Sequence, residues 1–300
     1  MISFAAALLL ATAQHGDSTI QKLENRIRLE PGAEVGLAYI DLESGDTLFL
    51  NADTSFHAAS TMKVPVMIEL FRRATTGSFE MNQPLMIVNQ FASIVDGSAY
   101  ALDPNADSDT TLYHRVGGRV SVDTLLRLMI TRSSNLATNT LIALVGAQEV
   151  NRTMRSLGAQ RIQVLRGVED GKAFDKGLIN TTTARDLATI LRAIEEGRAG
   201  SAKATGEMRQ ILLAQEFNEK IPAGLPPGIR VAHKTGEITA HSHDAAIVYP
   251  PGRKPYVLVV LTRGIQDGIR SSKLIADISS IVYARNRAHA NTQSGQITQQ

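Results

Sequence analysis

The feature that most narrows the possible folds is the placement of the β-rich segments at the two ends of the chain. Residues 34–42 and 47–50 read as strands across the turn Ser44-Gly45-Asp46, a hairpin. Residues 229–234, 245–249 and 256–261 are again rich in Val, Ile, Leu and Tyr, with turn residues between them, Pro250-Pro251-Gly252 among them. From Thr61 to about Leu213 the spacing of apolar residues is helical, with helices expected over 62–75, 122–130, 135–145 and 184–196. A doubly wound parallel sheet needs strands and helices in alternation, and that alternation is missing. The hairpin and the three late strands are therefore expected to form one five-stranded antiparallel sheet of the α+β class. Amphipathic helices over 18–29 and 269–284 would cover a face, and the middle would form a helical subdomain.

At 300 residues and 43% hydrophobic, the chain can bury a sizeable core. The expected organisation is one domain over 16–290, with 16–60 and 215–288 forming the sheet layer, 61–214 the helical part, and 289–300 a polar tail. A formal charge of +2 gives no electrostatic reason to expect nucleic acid or an anionic membrane as partner. The absence of cysteine excludes disulfides, thiolate metal sites and cysteine nucleophiles. Residues 1–13 combine the apolar run Phe4-Ala5-Ala6-Ala7-Leu8-Leu9-Leu10 with Ala11-Thr12-Ala13, which suits a cleaved signal peptide, although no Lys or Arg precedes the run. A periplasmic or secreted protein with no stable membrane span is the expectation. The run is too short for a permanent anchor.

Three short motifs carry chemistry. Ser60 and Lys63 are three residues apart, so on a helix they share a face, and a lysine in an apolar setting can activate a serine hydroxyl. Alone, the pair is equally an N-capping serine and a solvated lysine. Ser133-Ser134-Asn135 adds a second hydroxyl and an amide between two helices. Lys234-Thr235-Gly236 ends the first late strand, where a cation, a hydroxyl and a glycine suit a substrate carrying a carboxylate and an amide. A long polar stretch, residues 89–118, contains Asp96, Asp103, Asp107 and Asp109. It is expected either to rim the site or to be a solvated insertion.

Together, in this order and at these separations, the three motifs resemble those of class A β-lactamases and penicillin-binding proteins. The likeness runs from about Ser18 to the last helix. It includes Phe56, Asn180-Thr181-Thr182-Thr183 and His243-Asp244-Ala245-Ala246-Ile247. The resemblance implies a β-lactamase/transpeptidase-like fold with the site between the sheet and the helical part. It implies an active-site serine hydrolase without cofactor or metal, a monomer acting on a β-lactam or a peptidoglycan peptide. It also implies roles. Ser60 would be the nucleophile and Lys63 its base, Ser133 the proton relay to the leaving nitrogen, and the N–H groups of Ser60 and Glu237 the oxyanion hole. Asn135, Lys234, Thr235, Gly236 and His243 would bind substrate.

The chain also departs from the family pattern. The Glu-x-x-Leu-Asn loop of class A enzymes, whose glutamate activates the deacylating water, is replaced by Arg166-Gly167-Val168-Glu169-Asp170-Gly171. Glu169 and Asp170 are the only nearby carboxylates, and Glu169 is taken as the candidate base. Ser134 stands where an aspartate is usual. His241, His243, Arg263 and Arg270 are further candidates for an anion contact. The expected function is a class A-type β-lactamase. The alternative is a D-alanyl-D-alanine carboxypeptidase, penicillin-binding protein or β-lactam sensor that acylates and releases slowly.

Overall fold

The computed structural model describes residues 18–297; the expected signal peptide lies outside them. Strands β1 (Glu34–Asp41) and β2 (Thr47–Leu50) form the N-terminal hairpin. Between it and the late strands come six short strands, paired as β3 (Phe56–His57) with β8 (Thr181–Thr182), β4 (Pro84–Met86) with β7 (Arg119–Ser121), and β5 (Phe91–Ala92) with β6 (Ala99–Tyr100). The late strands are β9 (Arg230–Ile238), β10 (His241–Tyr249) and β11 (Tyr256–Arg263). The main sheet has the order β2-β1-β11-β10-β9 with every neighbour antiparallel, as expected. Its two edges are β2 and β9.

The inner strands read as continuous apolar runs because both of their faces are buried. Val35, Leu37 and Tyr39 of β1 face one core and Ala38 and Ile40 the other. On β11, Tyr256, Leu258 and Val260 join the first core, while Val257, Val259 and Leu261 join the second. The first core is closed by Leu23 of helix α1 (residues 18–28) and by Leu274, Ile275, Ile278 and Val282 of α9 (Gly268–Ile297). Each such side chain removed from water contributes about 1.5–3 kcal/mol before entropy is subtracted. The second core continues without a break into the helical block.

That block comprises α2 (Lys63–Thr75), α3 (Val122–Thr131), α4 (Asn135–Val145), α5 (Ala147–Ser156), α6 (Gly171–Asp175), α7 (Ala184–Glu195) and α8 (Ala202–Leu213). Helix α2 is its axis, with every residue from Lys63 to Phe71 buried. A helix apolar nearly all round belongs in an interior. Pro65 sits in its first turn, where no intrahelical bond is lost.

Several boundaries differ from the sequence reading, and β10 begins at His241, four residues before Ala245. β9 runs on to Ile238, so Lys234-Thr235-Gly236 lies inside a strand and does not end it. α9 continues to Ile297, past Ala284 where the apolar spacing fades. Among the described residues, no helix is long and apolar enough to cross a membrane.

Candidate active site

The site forms where the start of α2, the α3–α4 turn and the outer edge of β9 converge. Ser60 lies on a single 3-10 turn, Ala59–Met62, that runs directly into α2. Ala59, before it, has φ 44°, a left-handed conformation that costs a non-glycine residue energy. Ser133 (φ 59°) and Glu169 (φ 62°) share this feature. Backbone strain held at three positions round one cleft marks a place where geometry was kept at the expense of stability.

Gly236 explains how β9 comes so close. A Cβ there would stand 3.1 Å from Ser60 N and 3.0 Å from Thr61 N, contacts that only a shift of the backbone could relieve. Lacking one, β9 packs directly against the turn that carries Ser60.

Lys63 is fully buried. Its Nζ donates to Ser133 O (2.6 Å), Ser133 Oγ (3.1 Å) and Asn135 Oδ1 (2.9 Å). No hydrogen bond joins it to Ser60 among the described residues; its contacts run to the α3–α4 turn. Burial pulls its pKa down to about 7, against the opposing charges of Asp107 and Glu169. Near neutrality it therefore has a lone pair to offer. Lys234 is equally buried and donates to the same Ser133 Oγ (3.1 Å) and to Thr235 O (2.9 Å). Burial and then the neighbouring charge of Lys63 push its pKa well down. One hydroxyl between two amines can carry a proton from one of them to a group in the cleft.

Asn135 connects this cluster to the loop of residues 166–180. Its Nδ2 donates to Glu169 Oε1 at 2.7 Å. The Glu169 carboxyl is pushed up by burial, against the Asn135 hydrogen bond, with Asp107 adding to the rise. The loop is pinned around it: Asn139 Oδ1 accepts from Val168 N, while Asn139 Nδ2 and Tyr100 Oη donate to Val168 O. Gly167 lies so close to Asn139 that a Cβ would fall 2.3 Å from its Oδ1. Asp170 turns the other way. Its carboxylate accepts from Ser93 Oγ, Ile94 N and Ala173 N, capping α6 and tying the loop to the β5–β6 hairpin. Of the two carboxylates that the sequence left unsorted, only Glu169 joins the cluster.

The cleft holds about 800 Å³ and is lined by Ser60, Asn135, Glu169, Glu237 and, at its far end, His57, Phe174 and His241. His243 does not line it. Its Nε2 donates to His57 O (2.8 Å) and its Nδ1 accepts from Thr262 N (3.2 Å), with the ring completely buried. The contact with substrate expected of His243 is therefore not what this ring makes: it holds β10 and β11 to β3, and burial lowers its pKa to about 4. Arg263 is engaged by Glu34 (2.6 Å) and Arg270 by Glu30 (2.6 Å), on the protein's own carboxylates.

Two residues escaped the sequence reading. Lys220 is buried behind β9, between Glu219 (3.2 Å) and Glu237 (3.1 Å). Asp107, in the long polar stretch, accepts the backbone N–H groups of Asn135 and Leu136 at the start of α4. A lone lysine and one aspartate among several give no sequence signal. Ser134 caps the same helix through Ala137 N, a role open to serine and aspartate alike.

Comparison with known proteins gives the family. A family profile described as the beta-lactamase enzyme family matches residues 18–285, and the chain belongs to that family. The β-lactamase AST-1 of Nocardia asteroides is 31% identical over 84% of this chain and 78% of its own length. A β-lactamase of Streptomyces albus G is 27% identical over 93% and 91%. Among solved structures, PBP-A superposes with a TM-score of 0.79 at 28% identity, covering 90% of this chain and 96% of PBP-A. A single-site variant of PBP-A has been captured as an acyl-enzyme with penicillin G.

Proposed function

We propose that the protein is an active-site serine β-lactamase, with Ser60 as nucleophile and Lys63 as its base. The observation that carries this reading is the buried chain Lys63–Ser133–Lys234, in which a lysine held near neutrality shares a hydroxyl with a second amine. Ser60 Oγ adds to the lactam carbonyl as its proton passes to Lys63, directly or through a water. The oxyanion that forms is held by the N–H groups of Ser60 and Glu237, a reading supported by the close packing of Gly236 on Ser60. Fixed donors of this kind are worth about 3–4 kcal/mol each by analogy with serine proteases. Ser133 hands a proton to the leaving nitrogen as the C–N bond breaks. Lys234 keeps that path electropositive and, with Thr235, offers the substrate carboxylate a partner. Asn135 can hold the acylamino carbonyl. Water then attacks the Ser60 ester as Glu169 takes its proton, the C–Oγ bond breaks, and Ser60 Oγ regains a proton from Lys63; the raised carboxyl and its place beside Asn135 support the role of Glu169. Export fits this activity and rests on the apolar run and Ala11-Thr12-Ala13 at the N-terminus.

A slow-releasing acyl-enzyme, as in a penicillin-binding protein or sensor, is the second reading. It is favoured by the missing Glu-x-x-Leu-Asn loop and by the likeness to PBP-A. Mixing the purified protein with excess chromogenic cephalosporin while following intact mass separates the two. Sustained turnover supports the β-lactamase, and one persistent equivalent on Ser60 supports the slow-releasing form. Neither turnover nor adduct would overturn both. Glu169→Ala should make the adduct accumulate, with turnover falling by about 10²–10⁴-fold; unchanged turnover removes Glu169 from the mechanism. Adduct formation should also weaken as pH drops below about 7, because protonation fills the Lys63 lone pair.

A further inference from the structure

The long stretch between α2 and α3 sends one side chain to the back of the catalytic cluster. The Asp107 carboxylate is 7% exposed. It accepts Asn135 N through both oxygens (3.0 and 2.9 Å), Leu136 N (3.1 Å), Asp109 N (3.1 Å) and Tyr113 Oη (2.9 Å). So many donors on one carboxylate fix its position closely. It meets the first turn of α4, where free N–H groups and the helix dipole favour an anion. The residue at that turn, Asn135, holds Lys63 with one end of its amide and Glu169 with the other.

We infer that Asp107 is a positioning residue for the reaction: it clamps Asn135 from behind and keeps a negative charge next to Lys63 and Glu169. The inference rests on the proposed acylation of Ser60. No short motif spacing reveals it, because the contact crosses 28 residues and is made to backbone. The other charged groups around the cluster are accounted for. Lys234 meets it at Ser133 Oγ. Asp109 bonds Thr111 and lies 3.8 Å from Arg132. Asp103 reaches Glu169 through its backbone N–H, and burial with the charge of Asp107 raises the Tyr113 phenol and keeps it protonated. The charge of Asp107 is the largest influence opposing the drop in the Lys63 pKa, and it adds to the rise of Glu169. Removing it should move both groups the same way, towards lower pH.

The test compares Asp107→Asn with the parent in pre-steady-state acylation and in deacylation, each across a pH series. Acylation should slow by about ten-fold through misplacement of Asn135. The acid limbs of acylation and deacylation should both shift down by about half a pH unit or more. Adding Ser134→Asp, which returns a carboxylate to the N-cap of α4, should bring the limbs back towards the parent. A purely structural contact would lower the rates in step with the folded fraction and leave the limbs in place, and that result overturns the inference. Rates and limbs both unchanged overturn it too. Should Asp107→Asn not fold, Asp107→Ser removes the charge but keeps an acceptor for the helix N–H, and it reads the same shift. A parent protein that forms no Ser60 adduct would instead sink the proposed function, so the two failures are distinguishable.

Discussion

Buried cations are treated in opposite ways at the cleft and at the far end of the sheet. Beneath the β1–β2 turn, Arg253 meets Asp41 at 2.6 Å and Glu43 at 3.0 Å, and Arg285 meets Asp46 at 2.9 Å. Asn286 completes that cluster by donating to Tyr39 Oη. In the cleft, Lys63 and Lys234 donate only to hydroxyl, amide and carbonyl oxygens, with no carboxylate in ion-pair reach among the described residues. A paired buried cation is a structural strut, since its charge is cancelled where it sits. An unpaired one gives up its proton readily, and such a group is held in place only by the surrounding fold.

The contrast can be broken at either end. Lys63→Met should cut Ser60 acylation by about 10²–10⁴-fold while leaving the chain folded, because it removes a base along with a costly buried charge. Acylation rates and a thermal unfolding curve read the two effects together; a wild-type rate would refute the base assignment. Arg253→Met should do the reverse. It leaves Asp41 buried without its partner, at a cost of about 3–5 kcal/mol, with the turnover of the folded fraction unchanged. Denaturant titration checks it, and loss of activity without loss of stability would mean that the far cluster is coupled to the cleft. The smallest effect is expected from Gly236→Ala. Its methyl has to push β9 away from Ser60 N, costing about 1–3 kcal/mol and slowing acylation more than it destabilises the fold.

How much of this was legible depended on the range over which each residue acts. The inner strands β1 and β11 were readable because a strand buried on both faces is a nearly unbroken apolar run, and the antiparallel order followed from where the β-rich segments sit in the chain. Ser60, Lys63, Ser133, Asn135 and Lys234 could be singled out because they sit in short motifs, and the structure brings the last four into one hydrogen-bonded cluster. Nothing local distinguished Glu169 from Asp170. What separates them is the distant partner of each, Asn135 for Glu169 and Ser93 with Ile94 for Asp170. His243 was misread for the same reason: a histidine two residues from an active-site strand turn looks like a ligand-binding group until its ring is seen to bridge three strands. Asp107 was one of four aspartates in a polar stretch, and its partners are backbone groups that any sequence supplies.

The sheet also dictates an order of assembly. β1 pairs with β11, and the Glu34–Arg263 ion pair at their ends closes a loop of 229 residues. Such distant pairings form late, since closure entropy must be met before any contact repays it. The helical block closes shorter loops, 70 residues between Lys63 and Ser133 and 72 between Lys63 and Asn135, so these contacts can precede the placing of β9. Lys234 arrives with the last strands. The Lys63–Ser133–Lys234 chain is thus complete only once the last strands are in place.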